Sequence, residues 1–253
     1  MTTIRHQVHG VSMITVWYAK EKVKEDGIII YRQAKFKPAG ECTVFDTLET
    51  DLQQSEEAII ANISKNGRYE IRRAEKEGVK AQVKAGKSLT EQDIKAFCDF
   101  FTEFWQSKGV AYEGKEELYK EISDYAAQGN FVITSAGIGE HTCVYHTYIL
   151  CEDTVRLYHS ASLYRVDESI PKKIVGMANR YLHKEDMLYF KQNGIKTYDW
   201  GGAGKGEEVK SITEFKASFG GEPKQYYDFT QVNGVKAKAI SMLSDLKNTL
   251  LKN

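Results

Sequence analysis

Short runs of β-branched and aromatic residues alternate along this chain with longer stretches whose apolar positions recur every three or four residues. Residues 11–18 and 27–32 are of the first kind and read as strands, with Asp26-Gly27 supplying a turn between them. Ser55 predicts the cap of a helix with Ile59, Ile60 and Ile63 on one face. Asn66-Gly67 breaks that helix, and residues 68–77 form a second, short one that Gly78 ends. A strand over 79–83 follows. Thr90 and Asp93 then make a capping pair for a helix that carries Ile94, Phe97, Phe101, Phe104 and Trp105 on one stripe. Residues 116–127 repeat the helical period through Leu118, Ile122 and Tyr125. Three strands over 131–136, 142–151 and 154–162 form a meander. Beyond it lie a long helix (170–193), a strand (196–200), a helix (207–219), a strand (226–229) and a closing amphipathic helix (235–251). This order predicts an α/β (α+β) protein with a mixed, mostly antiparallel sheet and helices on both faces, not a regular βαβ repeat.

Composition narrows the class without naming a function. Apolar residues make up 42% and charged residues 28% of 253, ordinary for a globular chain with a real core. Net charge is zero, so attraction to nucleic acid or membrane must come from a local patch. No stretch approaches the roughly 18 apolar residues of a membrane span, and residues 1–10 show no apolar signal segment. Cys42, Cys98, Cys143 and Cys151 form no C-x-x-C pair and have no histidine at metal spacing, so a reduced, cytoplasmic protein without a metal is expected. With three prolines and no low-complexity linker, residues 1–253 read as a single unit.

Several motifs are discounted by their surroundings. Residues 81–88, ending Gly86-Lys87-Ser88, spell a permissive Walker A, but the loop lacks the glycines that turn backbone amides onto phosphate. Residues 106–111 spell a pyrophosphate loop, Q-x-x-G-x-A, yet follow a helix where a strand is required. The six histidines are scattered; His146 and His159 lie in adjacent strands and are candidates to face one cleft. Gly201, Gly202, Gly204 and Gly206 cluster straight after a strand, where positive φ and close ligand approach are allowed.

Residues 65–87 stand out in charge. Lys65, Arg68, Arg72, Arg73, Lys76, Lys80, Lys84 and Lys87 face Glu70, Glu75 and Glu77, eight positive against three negative, a net of +5. Arg68, Arg72 and Lys76 are spaced by four and would project from one helical face, a row suited to a diphosphate or an RNA backbone. The alternative is a solvated face.

The segment Ile63-Ser-Lys-Asn-Gly-Arg68-Tyr-Glu-Ile-Arg72-Arg73-Ala-Glu-Lys76-Glu-Gly78-Val79 resembles the helix-and-turn signature of the Fem family, in the acetyltransferase (GNAT) superfamily. Two further matches keep its order and spacing over roughly residues 60–230: Tyr158-His-Ser-Ala161-Ser162 followed by Tyr198-Asp199-Trp200-Gly201-Gly202, and Phe215-Lys216-Ala-Ser-Phe219-Gly220-Gly221. The resemblance implies a GNAT-like fold with residues 1–55 as a partial N-terminal sheet extension. It also implies an acyl- or aminoacyltransferase that forms an amide on an amine of an anionic, nucleotide- or lipid-linked envelope precursor. By that resemblance Lys216, Asp199 and Tyr158 are the catalytic candidates, with Asp199 a candidate for ordering the glycine loop. Lys115, Tyr119, Arg68, Arg72, Arg73, Gly201 and Gly202 are the binding candidates. Lys115 stands where the family usually has arginine, and the chain has room for only one of the family's two halves. No cofactor is expected to stay bound; the donor is a co-substrate, aminoacyl-tRNA or acyl-CoA, which makes tRNA a possible partner. Two other readings stay open: a CoA-dependent N-acyltransferase of a nucleotide amino sugar, and a non-catalytic RNA- or nucleotide-binding module. The general base is left among Asp199, His146, His159 and a group on the substrate. The oligomeric state is not legible.

Overall fold

A computed structural model describes residues 2–8, 10–163, 170–204 and 206–240. In chain order the elements are β1 (Thr2–Val8), β2 (Val11–Trp17), β3 (Gly27–Ala34), β4 (Thr43–Asp51), α1 (Glu56–Asn62), α2 (Lys65–Lys76) and β5 (Lys80–Ala85). They continue with α3 (Glu91–Ser107), α4 (Lys115–Ala127), β6 (Phe131–Ile138), β7 (His141–Cys151) and β8 (Thr154–Ser162). The last are α5 (Lys172–Gln192), β9 (Thr197–Asp199), α6 (Glu207–Ala217) and β10 (Glu222–Asn233). The chain divides into two compact units, Met1–Asp46 with Lys224–Asn253, and Thr47–Pro223.

In the first unit β1 and β2 form an antiparallel hairpin, β2 runs parallel to β3, and β3 pairs antiparallel with β10. Asp26-Gly27 is therefore no hairpin turn. Gly27 enters β3 so close to β2 that a Cβ would lie 2.3 Å from the Ser12 carbonyl oxygen, which demands glycine. Ile14, Val16, Ile29 and Tyr31 make the core, with Phe229 stacked on Tyr31 at 4.3 Å. The expected closing helix is seen to begin at Val235; beyond residue 240 it lies outside the described residues.

The second unit carries the strand order β4-β9-β8-β7-β6-β5, antiparallel except where β8 and β9 run parallel. The fold is thus mixed α/β with a mostly antiparallel sheet. Its central strands are buried on both sides, not on alternate residues, because α5 covers one face and α3 and α4 cover the other. The capping pair Thr90 and Asp93 starts α3 as expected. Leu48, Tyr148, Phe190, Tyr198, Trp200 and Phe219 form the main core, and each is almost wholly removed from water. Among the described residues no helix is long and apolar enough to cross a membrane.

One helix boundary differs from the expectation. The break falls at Ile63 and Ser64, not at Asn66-Gly67: the Ser64 hydroxyl accepts from the Gly67 amide and caps α2. Gly67 sits inside that helix because a Cβ there would come within 2.8 Å of the Ile63 side chain.

Phe190 is buried between Tyr148 and Tyr198. Phe190→Ala is expected to cost about 3–5 kcal/mol in urea unfolding, whereas Val110→Ala, at a half-exposed position, changes stability by less than about 0.5 kcal/mol.

Candidate functional site

The site begins where two parallel strands separate. β8 and β9 stay in register from Thr154 opposite Thr197 to Arg156 opposite Asp199; β9 then ends while β8 runs on to Ser162. At the parting, Gly201 takes φ +62°, and a Cβ on it would lie 2.6 Å from the Leu157 carbonyl oxygen. The buried Asp199 carboxylate pins this turn: its Oδ1 accepts from the Gly201 amide at 2.7 Å and from the Thr47 hydroxyl at 2.6 Å. Lys216, from α6, donates its ammonium to the carbonyls of Gly201 and Gly202 at 2.6 and 2.7 Å. Burial, with Arg156 nearby, brings the Lys216 pKa down to about 8, and the Asp199 charge opposes this. An ammonium has three donors, and the third has no partner among the described residues.

Lys216 opens onto a pocket of about 270 Å³ lined also by Leu157 and Ser160 of β8, Asn179 and His183 of α5, and Phe215 of α6. Behind its wall lies a closed set of buried polar groups. The His183 ring nitrogen Nδ1 meets Tyr198 Oη at 3.1 Å, Tyr198 meets Tyr148 Oη at 2.8 Å, and Tyr148 donates to Asp186 Oδ2 at 2.5 Å. His146 completes the loop, with Nδ1 2.8 Å from Asp186 Oδ2 and Nε2 2.8 Å from Asn179 Oδ1. Burial drives both tyrosines far above their ordinary range, reinforced by Asp186, so they stay neutral phenols. Burial likewise drives His183 well below the usual histidine value, helped by His146, Lys216 and Arg180.

No protein-family model matches the sequence, and no curated protein does. Solved structures match by shape. FemX shares 12% identity at TM-score 0.57, over 78% of this chain and 63% of its own. L-PGS from Bacillus licheniformis shares 11% at TM-score 0.52, over 86% of this chain and 72% of its own. The fold is Fem-like. The chain spans less than two thirds of FemX, so the likeness is one of architecture.

Against this Fem-like frame the expected residues fall into three places. Lys216, Asp199, Gly201 and Gly202 come together at the strand parting. Tyr158 does not join them. It is the extra residue of a bulge in β8, between Leu157 opposite Tyr148 and His159 opposite Thr147. Next to Leu157, which packs on the α5 side, it points to the other face, where its hydroxyl donates to Glu121 of α4 at 2.5 Å; burial raises its pKa. Lys115 and Tyr119 are on that same helix, Lys115 paired with Asp99 and Tyr119 beneath the Lys95 ammonium at 5.9 Å. Among the described residues, Tyr158 bonds to α4 and Lys115 pairs with α3, while Lys216 opens onto the pocket lined by β8, α5 and α6. Arg156 is the link between the sides: its guanidinium lies 5.5 Å over the Tyr158 ring and 3.7 Å from where a Gly201 Cβ would be.

On α2 the row is also broken. Arg68 turns back and donates to the carbonyls of Ala61 and Ile63, satisfying the end of α1. Arg72, Arg73 and Lys76 line a recess of about 390 Å³ with Tyr69. His146 and His159 do not share a cleft, because adjacent register positions put them on opposite faces: His146 meets α5, while His159 packs against Phe97 and Phe101 of α3. Burial brings His159 down to about pKa 4, and Arg156 adds to this.

Sequence reasoning missed His183, Asp186, Asn179 and Arg156. A signal existed for two of them. His183 and Asp186 interrupt the buried stripe Val175, Ala178, Leu182, Met187, Phe190 of α5, and titratable residues on an apolar stripe need partners. His146, His183 and Asp186 are the sole three-residue cluster with metal-type donors close together among the described residues. Their donor atoms lie within 4.8 Å of one another; in this structure both nitrogens of His146 and Asp186 Oδ2 are engaged in hydrogen bonds, and the His146 and His183 rings stack at 4.0 Å.

Because Lys216 has a lower pKa folded than unfolded, the unfolded chain binds more protons between about pH 8 and 10.5. Stability should therefore rise with pH across that window. The difference between wild-type and Lys216→Met melting curves, followed from pH 7 to 11, should show that rise; a flat difference would contradict the assignment.

Proposed function

We propose that this protein is an acyl- or aminoacyltransferase that forms an amide on an amine of an anionic, envelope-related acceptor. The observation that carries the reading is Lys216, half-buried at the mouth of the β8/β9 parting with one N–H directed to no group among the described residues, beside a pocket of about 270 Å³. A cation fixed by two glycine carbonyls and short of water is suited to meet the oxyanion that forms when an amine attacks an ester or thioester. Placing amine and carbonyl in one pocket supplies much of the remaining acceleration.

The Fem-like fold, seen also in FemX and L-PGS, supports this reading, with an aminoacyl donor taken first and acyl-CoA as the alternative. The anionic character of the acceptor rests on Arg156 at the parting and on the Arg72, Arg73 and Lys76 recess. In this reading Asp199 shapes the turn and Tyr158 positions Arg156 from behind, while the roles of Lys115 and Tyr119 are limited to the α4 side.

Incubation with charged tRNA and, separately, with acyl-CoA, each with amino-sugar and lipid-linked amine acceptors, tests the proposal. Transfer from aminoacyl-tRNA is the expected result. Lys216→Ala should lower kcat by about 10²–10³-fold, assayed at a temperature where the variant is folded, because it also releases the Gly201 and Gly202 carbonyls. No product from either donor would refute a transferase.

A further inference from the structure

Resting on the transferase reading, we infer that His183 is the general base for the acceptor amine, held in its Nδ1–H tautomer by the buried chain Tyr198, Tyr148 and Asp186. The count of hydroxyl protons fixes the tautomer. Tyr148 has one hydroxyl proton, and it is given to Asp186 Oδ2. The 2.8 Å bond between Tyr148 and Tyr198 must then be donated by Tyr198. Tyr198 has now used its only proton, so its 3.1 Å bond to His183 is donated by the ring Nδ1–H. A neutral imidazole with hydrogen on Nδ1 carries a lone pair on Nε2. That atom has no hydrogen bond among the described residues and is absent from the buried unsatisfied groups, while the ring itself lines the pocket with Lys216.

The surroundings keep this base unprotonated. His146 stacks on the ring from β7 at 4.0 Å, Lys216 approaches from α6, Arg180 from α5, and Tyr198 bonds it from β9. The three nitrogen bases or cations oppose a further positive charge, and Trp200, Phe215 and Phe219 exclude water around it. Asp186 anchors the far end; its Oδ1 is buried without a partner, so the carboxylate directs its bonding through Oδ2.

The step balances without any added reactant. The neutral acceptor amine adds its lone pair to the carbonyl carbon of the ester or thioester donor, forming C–N while the C=O π pair moves to oxygen beside Lys216. Nitrogen, now positive, loses a proton to His183 Nε2. The oxyanion collapses, C=O re-forms, and the bond to the leaving alkoxide or thiolate breaks. The His183 imidazolium returns its proton to that leaving group. Because the proton departs after C–N formation, when it is strongly acidic, a weak base is sufficient.

Nitrogen-resolved NMR of ¹⁵N-histidine protein reads the tautomer independently of activity. A neutral ring with Nδ1–H at pH 7 is expected for His183, shifting toward the Nε2–H form in Tyr198→Phe. An imidazolium, or an Nε2–H tautomer in the wild type, would overturn the inference. In the transfer assay His183→Asn should lose about 10²–10⁴-fold in kcat. Tyr198→Phe, which removes a single oxygen and keeps the packing, should lose at least tenfold in kcat with KM little changed. The acid limb of wild-type kcat should lie below pH 6.5. If the wild type transfers and both variants match it, the base assignment fails while the transferase stands; if the wild type transfers nothing with either donor, both fall.

Discussion

At Leu157 and Gly201 two backbones approach more closely than any side chain permits, and the rest of the second unit is arranged around that contact. A carbonyl oxygen 2.6 Å from the missing Cβ leaves no room for alanine, and the positive φ already favours glycine. Such a turn persists only if its surroundings over-determine it. Asp199 supplies one constraint through the Gly201 amide, and Lys216 supplies the other through the Gly201 and Gly202 carbonyls. The turn's donors and acceptors are thus held by opposite charges, which are strongest where water is scarce. The parting of β8 and β9, and the position of Lys216 at its mouth, follow.

β9 is only three residues long, yet it serves two polar systems. Strand alternation sends Tyr198 toward α5, where it joins His183 and Tyr148, and sends Asp199 the other way to Thr47. Trp200 returns to the first side, packing on His183 and Phe219 while its indole N–H donates to Thr50. A one-residue slip of β9 against β8 would exchange these environments, burying a carboxylate among aromatic rings. The register is therefore fixed by polar satisfaction as much as by apolar burial.

The helices and the meander were legible because their periods are strong: α3, α4 and α5 fall within a few residues of the stripes that predict them. β1 and β4 were not, since Thr, Arg, Asp and Glu dilute the alternation in TTIRHQV and TVFDTLETD. At the site, Asp199, Gly201 and Lys216 share two short motifs that a resemblance can carry. His183 escaped because its importance is set by Tyr198 and Tyr148, 15 and 35 positions away, and no local pattern encodes a hydrogen-bond direction. Tyr158 follows Leu157, which packs on the α5 side, so strand alternation carries it to the other face; the bulge then leaves His159 on that same face, and bulges leave little trace in composition.

The cationic segment shows why a charge sum is a poor guide to a surface. Of its three carboxylates, Glu70 turns to Arg180 and Glu75 to Lys184, both on α5, so they serve to dock α2 and leave its outer side. Glu77 stays with Arg73 at 3.5 Å. Arg68, which the four-residue spacing assigned to the outer row, instead satisfies helix-end carbonyls. The recess itself gathers the smaller set Arg72, Arg73 and Lys76, with Glu77, beside a half-exposed Tyr69. An overall neutral protein thereby obtains a local anion-attracting recess through the selective pairing of its acids. Such a recess acts over about one Debye length, roughly 8–10 Å at physiological salt. It can therefore orient a phosphate-bearing partner at short range without drawing anions to the molecule as a whole.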